Sequence, residues 1–191
     1  LNTLDNENVR SGYGEMLKHG LISDEKMWVE LLTFDLDHPD FRKLQSMLAD
    51  SVRFKERIVN EDPQETGIRK ALNFGHTFGH ALEAWSLKRK PILHGYAVAY
   101  GLICELYLSC IRMHFPTDKM CQTVNFIKEN YGTLSITCDD YPELIRLMHH
   151  DKKNRGEEIN VTLLSDIGKI HIDQTVSESE VEDVLDFFRE G

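Results

Sequence analysis

Residues 65–83 read ETGIRKALNFGHTFGHALE, and the other candidate functional residues can be placed relative to this segment. Followed as one continuous helix at about 100° per residue, it brings a set of polar side chains within roughly 80° of one another. The set is Glu65, Arg69, Asn73, His76 and His80. A helix face that packs on a core normally carries Leu, Ile, Val and Phe instead. The polar stripe therefore predicts the wall of an active site.

Two glycines interrupt the same segment. Gly75 and Gly79 each make a helix about 1 kcal/mol less stable than Ala would. They are explained if another backbone or a ligand approaches the helix closely at these positions.

Composition limits the class of protein. The chain has 191 residues, 41% apolar and 28% charged, as expected for a soluble globular protein of one large or two small domains. A net charge of -10 argues against binding to nucleic acid or to an anionic membrane surface. No apolar run approaches the roughly 18 residues of a membrane span, and no signal peptide is visible. The first residue is Leu1 rather than Met, so we expect a piece of a longer polypeptide.

Cysteine usage predicts a cytoplasmic location. The chain contains no CxxC pair and no spacing typical of a disulfide framework, so we expect reduced thiols. The cysteines are Cys104, Cys110, Cys121 and Cys138.

The pattern of apolar residues predicts a mainly α fold: a multi-helix domain of about seven or eight helices with one small β-hairpin near the C-terminus. The predicted helices cover residues 9–22, 24–35, 39–59, 65–83, 94–113, 117–130, 141–150 and 177–189. The hairpin pairs residues 159–164 with 169–173. No repeat and no internal domain boundary is visible.

Two histidines of the central segment have a spacing that metal ligands often have. His76 and His80 are four residues apart, so both imidazoles can face one point. Alone this is a weak signal, because such pairs on amphipathic helices are more often structural or simply exposed. His94 opens the next predicted helix after a short connection and could lie beside His76. The alternative for His94 is a helix-terminal histidine with no role.

The first predicted helix offers a carboxylate for the same site. Glu15 and Lys18 lie three residues apart on one face, where they could equally form a surface ion pair worth a few tenths of a kcal/mol. His19, four residues from Glu15, is a competing ligand. From residue spacing alone, a metal site here is about as probable as no metal site.

Cationic side chains recur near these elements although the chain is acidic. They are Lys18, Lys55, Arg69 and the cluster within residues 151–156. Arg and Lys that converge with Asn commonly hold a phosphate or carboxylate. For residues 152–155 the sequence alone favours the alternative of a solvated loop ahead of the hairpin.

Four segments together carry a family resemblance. Residues 69–83 (RKALNFGHTFGHALE) resemble the signature of the 3-dehydroquinate synthase family. Residues 11–20 (SGYGEMLKHG) and 93–99 (LHGYAVA) match the same family pattern in order. The last match is DKK at 151–153, ahead of VTLLSDIG at 161–168. Four motifs in order are far more specific than any one of them.

The resemblance implies both a fold and an activity. The family has an N-terminal NAD-binding α/β domain and a C-terminal, mainly helical, metal-binding domain, and residues 1–191 resemble only the second. No glycine-rich turn after a strand is present, so we expect no NAD-binding residues in this chain and NAD only in the full-length enzyme. The implied activity is that of a lyase of the shikimate pathway. It converts 3-deoxy-D-arabino-heptulosonate 7-phosphate to 3-dehydroquinate with loss of phosphate. We expect the isolated chain to be inactive.

The resemblance also assigns roles to individual residues. Glu15, His76 and His94 match the ligands of Zn²⁺, or of another divalent metal such as Co²⁺. Glu65 and His80 match residues of proton transfer. The positions that hold the sugar phosphate are matched by Lys18, Lys55, Arg69, Asn73 and Lys152, with Lys153 as an alternative to Lys152. One departure concerns the position after His94-Gly95, where the family usually has Glu and this chain has Tyr96.

Two other functions stay open. A related sugar-phosphate cyclase would act on another substrate, such as sedoheptulose 7-phosphate. A non-catalytic helical module would bind zinc structurally, with His19 or His80 as a fourth ligand. Partners implied by the resemblance are the sugar phosphate and the N-terminal NAD-binding domain, and a homodimer is left open.

Overall fold

A computed structural model describes residues 5–151 and 158–190 of the chain. Within these residues there are eight α-helices, two short 3-10 helices and one antiparallel hairpin. The α-helices are α1 (Asn6–Ser23), α2 (Glu25–Leu32), α3 (Phe41–Glu61), α4 (His76–Ser86), α5 (His94–Met113), α6 (Thr117–Tyr131), α7 (Tyr141–His149) and α8 (Glu178–Glu190). The 3-10 helices are Ile68–Asn73 and Cys138–Asp140, and the strands are β1 (Ile159–Asp166) and β2 (Lys169–Val176). The predicted mainly α fold with a hairpin near the C-terminus is confirmed.

Helix starts follow local capping chemistry that is visible in the sequence. The Asp24 carboxylate accepts the Met27 N–H at 2.9 Å and so caps α2. Asp40 caps α3 in the same way. Before α8, the Ser177 hydroxyl accepts the Glu180 N–H at 3.2 Å while the Glu180 carboxylate accepts the Ser177 N–H at 2.9 Å. These caps explain why the predicted starts of α2, α3 and α8 lie within two residues of the observed ones.

The prediction of one continuous helix over residues 65–83 is wrong. The segment forms the 3-10 helix Ile68–Asn73, turns at Gly75, and restarts as α4 at His76. Gly75 has φ 78°, a left-handed conformation that glycine adopts without steric cost. The turn brings the chain directly onto α5, since a Cβ on Gly101 would lie 1.8 Å from the Gly75 carbonyl oxygen.

Close backbone contact also explains the second glycine of the segment. A Cβ on Gly79 would lie 2.9 Å from the carbonyl oxygen of Ala97 on α5. The expectation that another backbone approaches Gly75 and Gly79 is therefore confirmed. Two helices can pack this closely only where side chains are missing from both surfaces.

The core is built around α5, which contacts α1, α4, α6, α8 and β1. All residues from 97 to 106 are buried. The helix His94–Met113 has the length and mean hydropathy (1.2) of a membrane-crossing helix, but 67% of that window is buried inside the domain. We therefore interpret it as a core helix. The four cysteines are free thiols, as expected, and one of them, Cys104, is buried in α5.

Two of the regularly spaced apolar residues of α3 lie outside the core. Leu44 and Ile58 are buried, but Leu48 and Val52 are 38% and 54% exposed. Both line an open cavity next to the polar segment at 65–73 instead of packing on the core. Their apolar character therefore belongs to the wall of the candidate site.

The contact between α4 and α5 makes a testable prediction about stability. We expect Gly101→Ala to lower the free energy of unfolding by about 1–3 kcal/mol, because the new methyl group has no space beside the Gly75 carbonyl. Gly12→Ala is the matched control, since a Cβ there meets nothing within 4 Å. It should raise the free energy by about 0.5–1 kcal/mol. Urea unfolding of both variants measures this difference, and equal effects would contradict the packing.

Candidate metal and substrate site

Three elements bring the predicted metal ligands together. Glu15 lies on α1, His76 begins α4 and His94 begins α5. The Glu15 Oε1 atom lies 3.4 Å from His76 Nε2 and 3.2 Å from His94 Nε2. Ligand atoms at about 2.0–2.1 Å from a tetrahedral zinc ion are about 3.3 Å apart. The separations therefore fit a metal held by one carboxylate and two imidazoles.

The other nitrogen of each imidazole is engaged by a second partner. His76 Nδ1 lies 3.1 Å from the carbonyl oxygen of Phe74, and His94 Nδ1 lies 3.0 Å from Glu83 Oε2. When Nδ1 carries a proton, each ring donates to its oxygen partner and turns Nε2 towards Glu15. Partners of this kind fix the orientation of metal-binding histidines in many sites.

Tyr96 does not take part in this support. Its ring packs edge-on against Tyr131 at a centroid distance of 4.9 Å. The carboxylate that orients His94 comes from Glu83 instead, one helix away. The Tyr96 substitution therefore leaves the immediate support of His94 in place.

Charge in the site is arranged around Glu15. Lys18 is buried, and its Nζ donates to Glu15 Oε2 at 2.6 Å. Burial raises the pKa of the Glu15 carboxyl, but hydrogen bonds from His76 and His94 and the Lys18 charge outweigh it, so the pKa lies well below its usual range. The hydrogen bond to Glu15, opposed by burial and reinforced by Glu83, raises the pKa of His94 to about 9. In the metal-free chain, Glu15 is therefore an anion, and His94 holds a proton that a metal would displace.

His80 stands next to the ligand group. Its ring centroid lies 5.2 Å from that of His76 and 5.9 Å from that of His94. Candidate ligand atoms of these three histidines all lie within 4.8 Å of one another. His80 Nδ1 lies 2.9 Å from Asp151 Oδ2, so the carboxylate orients the ring. This position suits a proton-transfer group, and it is also close enough for a fourth metal ligand.

His19, the competing candidate, is not part of this group among the residues the structure describes. Its side chain is buried, and its Nδ1 lies 2.6 Å from the Ser51 hydroxyl. Burial and the nearby charge of Lys18 lower the pKa of His19 to about 3. His19 is thus a neutral imidazole that joins α1 to α3.

A cavity of about 550 Å³ opens beside the ligands. It is lined by the predicted substrate residues that the structure describes: Lys18, Lys55, Arg69 and Asn73. The cavity is also lined by Glu15, Glu65, His76 and His94. Among the residues that the structure describes, His80 does not line the cavity, but its ring contacts that of His76. The predictions for Lys152 and Lys153 lie outside the described residues.

Glu65 is held in an unusual conformation at the cavity wall. Its φ is 56°, which is uncommon for a residue other than glycine and costs on the order of 1–3 kcal/mol. The Asn73 amide donates to Glu65 Oε1 at 2.9 Å, and Arg69 Nε lies 3.8 Å from Glu65 Oε2. These contacts direct the carboxylate of Glu65 towards the cationic side of the site.

Three residues near the site were not identified from the sequence. Glu83 supports His94, and Asp151 supports His80. The Asp62 carboxylate accepts hydrogen bonds from backbone N–H groups of the loop that precedes Arg69. The bond from the Gly67 N–H, at 2.7 Å, contributes most to lowering the pKa of Asp62. The seven-residue spacing from His76 to Glu83, close to two helical turns, was a signal that could have pointed to Glu83.

Comparisons with known proteins show which family the chain resembles over most of its length. A family model described as 3-dehydroquinate synthase C-terminal matches residues 12–154. The 3-dehydroquinate synthase of Parabacteroides distasonis is 52% identical over 192 residues, covering 100% of this chain and 54% of that protein. The enzyme of the same name from Listeria innocua is 38% identical over 169 residues, covering 87% of this chain and 46% of that protein. The chain therefore spans about half the length of these curated relatives.

Solved structures share the fold. A 2-epi-5-epi-valiolone synthase from Streptomyces hygroscopicus, with NAD⁺ and Zn²⁺ bound, superposes with a TM-score of 0.82 at 20% identity, covering 98% of this chain and 53% of that chain. A 2-deoxy-scyllo-inosose synthase, complexed with carbaglucose-6-phosphate, NAD⁺ and Co²⁺, gives a TM-score of 0.79 at 23% identity, covering 100% of this chain and 53% of that chain. At this identity the likeness establishes the fold alone.

Proposed function

The chain belongs to the 3-dehydroquinate synthase family as its C-terminal domain, and on that premise we propose the reaction of the protein of which it is part. That protein is a lyase that cyclises 3-deoxy-D-arabino-heptulosonate 7-phosphate to 3-dehydroquinate with loss of phosphate, in the shikimate pathway. The observation that carries the proposal is the convergence of Glu15, His76 and His94 at 3.2–3.4 Å beside a cationic cavity. The free cysteines are consistent with a cytoplasmic location.

Glu15, His76 and His94 would hold the metal, Zn²⁺ or Co²⁺. When bound, such an ion acts as a Lewis acid that acidifies and orients hydroxyl oxygens of the substrate. Three protein ligands would leave a position for those oxygens, as in catalytic zinc sites. Lys18 would keep the Glu15 carboxylate aligned and, because it also lines the cavity, would contact the bound substrate.

The cationic residues would bind the anionic groups of the sugar phosphate. Lys55 and Arg69 line the cavity from α3 and from the 3-10 helix, and Asn73 adds an amide donor. We place Lys152 with this group as the phosphate-binding lysine, on the family pattern. Charge-assisted hydrogen bonds of this kind are about twice as strong as neutral ones.

His80 and Glu65 would move protons. Because Asp151 accepts from His80 Nδ1, the nitrogen of His80 that can accept a proton is Nε2. The Glu65 carboxylate, held by Asn73, lies on the cavity wall beside the proposed substrate-binding residues. Two separate acid–base groups suit a reaction that removes and returns protons at several positions.

The remaining half of the protein would supply NAD through an N-terminal domain. Hydride transfer would need the nicotinamide that this domain presents, so we expect this chain alone to be inactive. The test measures NAD-dependent phosphate release by the isolated chain and by the full-length protein, each with the heptulosonate phosphate and with sedoheptulose 7-phosphate. We expect turnover only by the full-length protein and only with the first substrate.

Each other result has a definite meaning. Turnover by the isolated chain would contradict the need for the NAD domain. Preference for sedoheptulose 7-phosphate would identify a related cyclase. A full-length protein that binds zinc but turns over neither sugar phosphate would favour the structural zinc module, for which the closeness of His80 to His76 and His94 is the supporting observation.

A further inference from the structure

The start of α4 is capped by a carboxylate from another helix. Glu105 lies on α5 and its side chain is fully buried. Its Oε2 accepts the Gly75 N–H at 2.7 Å, and its Oε1 accepts the Thr77 N–H at 3.2 Å. The first N–H groups of a helix have no partner within the helix, and a side chain at the N-cap usually satisfies one of them. The N-cap of α4 is Gly75, which has no side chain, so Glu105 performs this role from α5.

The two bonded N–H groups flank a metal ligand. His76 lies between Gly75 and Thr77, so the residues on both sides of it are held against α5 by their N–H groups. The side chain of His76 then reaches Glu15 at 3.4 Å. A shift of the first turn of α4 would therefore move His76 Nε2 relative to the other ligands.

The same helix carries the third ligand. His94 begins α5, and Glu105 follows eleven residues later, which at 100° per residue brings it within about 20° of the same face. Between them on α5, Gly101 lies directly against the Gly75 backbone. One face of α5 thus carries the proposed metal ligand His94 in its first turn. Three turns later the same face carries Glu105, which holds the start of α4 and therefore His76.

We infer, on the premise of the metal centre proposed above, that Glu105 is a positioning residue for that centre. It fixes His76 relative to His94 by holding the left-handed turn at Gly75 and the first turn of α4. Glutamine is nearly isosteric but offers one acceptor oxygen and one NH₂ group. The glutamine NH₂ would face the N–H of either Gly75 or Thr77, and two donors cannot form a hydrogen bond with each other. One of these buried N–H groups would therefore lose its acceptor.

The experiment compares Glu105→Gln with Ser109→Ala in this chain. Ser109 is a matched control because it is equally buried on α5. Its hydroxyl donates to the Glu105 backbone carbonyl at 2.6 Å and accepts the Leu164 N–H at 3.0 Å, so Ser109→Ala removes a buried hydrogen bond beside Glu105 and leaves the Glu105 carboxylate in place. Zn²⁺ affinity is measured by competition titration, the Co²⁺ absorption spectrum reports ligand geometry, and amide hydrogen exchange is followed over residues 75–80 without metal. If E105Q does not fold, Glu105→Asp, which keeps the carboxyl group on a shorter side chain, takes its place in the same assays.

We expect E105Q to bind Zn²⁺ about 10–100-fold more weakly, as for other outer partners of metal ligands. Its Co²⁺ spectrum should change, and residues 75–80 should exchange faster, whereas S109A should differ from the unmodified chain in none of the three. Equal zinc affinity and an unchanged Co²⁺ spectrum for E105Q would overturn the inference while leaving the metal centre intact. Failure of the unmodified chain to bind zinc would instead remove the metal centre itself, and the role of Glu105 with it.

Discussion

Replacement of His76 by Ala is expected to lower the affinity of the chain for Zn²⁺ by more than about 100-fold. Loss of an outer partner of a ligand typically costs 10–100-fold, and loss of a ligand itself must cost more. His76 Nε2 lies 3.4 Å from Glu15 Oε1, and both atoms would bind the same metal ion. After the substitution, only Glu15 and His94 would remain of the three proposed ligands. Elemental analysis of the purified chain and competition titration measure the loss.

Glu15→Ala should have a comparable effect, because it removes the single anionic ligand and leaves Lys18 buried without this carboxylate. His149→Ala is the control, since that side chain pairs with Glu178 at 3.0 Å on α7 and α8, outside the ligand group. It should retain full metal content. If both H76A and E15A keep the zinc of the unmodified chain, the ligand assignment is wrong.

The sequence predicted the helices well because their signals are local. Apolar periodicity and the capping residues Asp24, Asp40 and Ser177 act within a few positions of each helix start. The break at Gly75 could not be predicted in this way. It depends on the backbone of α5 at Gly101, 26 positions further along the chain, and on the carboxylate of Glu105. Long-range contacts of this kind override local helix propensity.

The site shows the same division. Spacing indicated that His76 and His80 could share a point, and the family resemblance selected Glu15 and His94 as further ligands. Neither signal identified the partners that orient the rings, because Glu83 and Asp151 approach from separate positions in the folded chain. Similarly, Leu48 and Val52 fit the apolar pattern of α3, but nothing in that pattern shows that the side of the helix they occupy borders a cavity.

His80→Ala is expected to lower kcat of the full-length protein by about 10²–10⁴-fold while the metal stays bound. Removal of a group that transfers protons in the transition state has an effect of this size. The ring of His80 touches those of His76 and His94, but its Nδ1 is engaged by Asp151 at 2.9 Å. Asp151→Asn should reduce kcat less, because the imidazole remains and loses only its orienting carboxylate. Steady-state kinetics with metal content measured on the same samples tests both variants.

Metal content decides between the two roles that the position of His80 allows. If His80 transfers protons, H80A should keep the zinc of the unmodified protein, and the pH dependence of its kcat should differ from that of the unmodified protein. A fourth ligand in a closed structural site predicts that H80A loses zinc as H76A does, with no catalytic step to measure. Because the candidate ligand atoms of His76, His80 and His94 all lie within 4.8 Å of one another, distance alone does not separate these outcomes. Loss of zinc from H80A would therefore overturn the catalytic assignment, and retention with a large fall in kcat would exclude the four-ligand site.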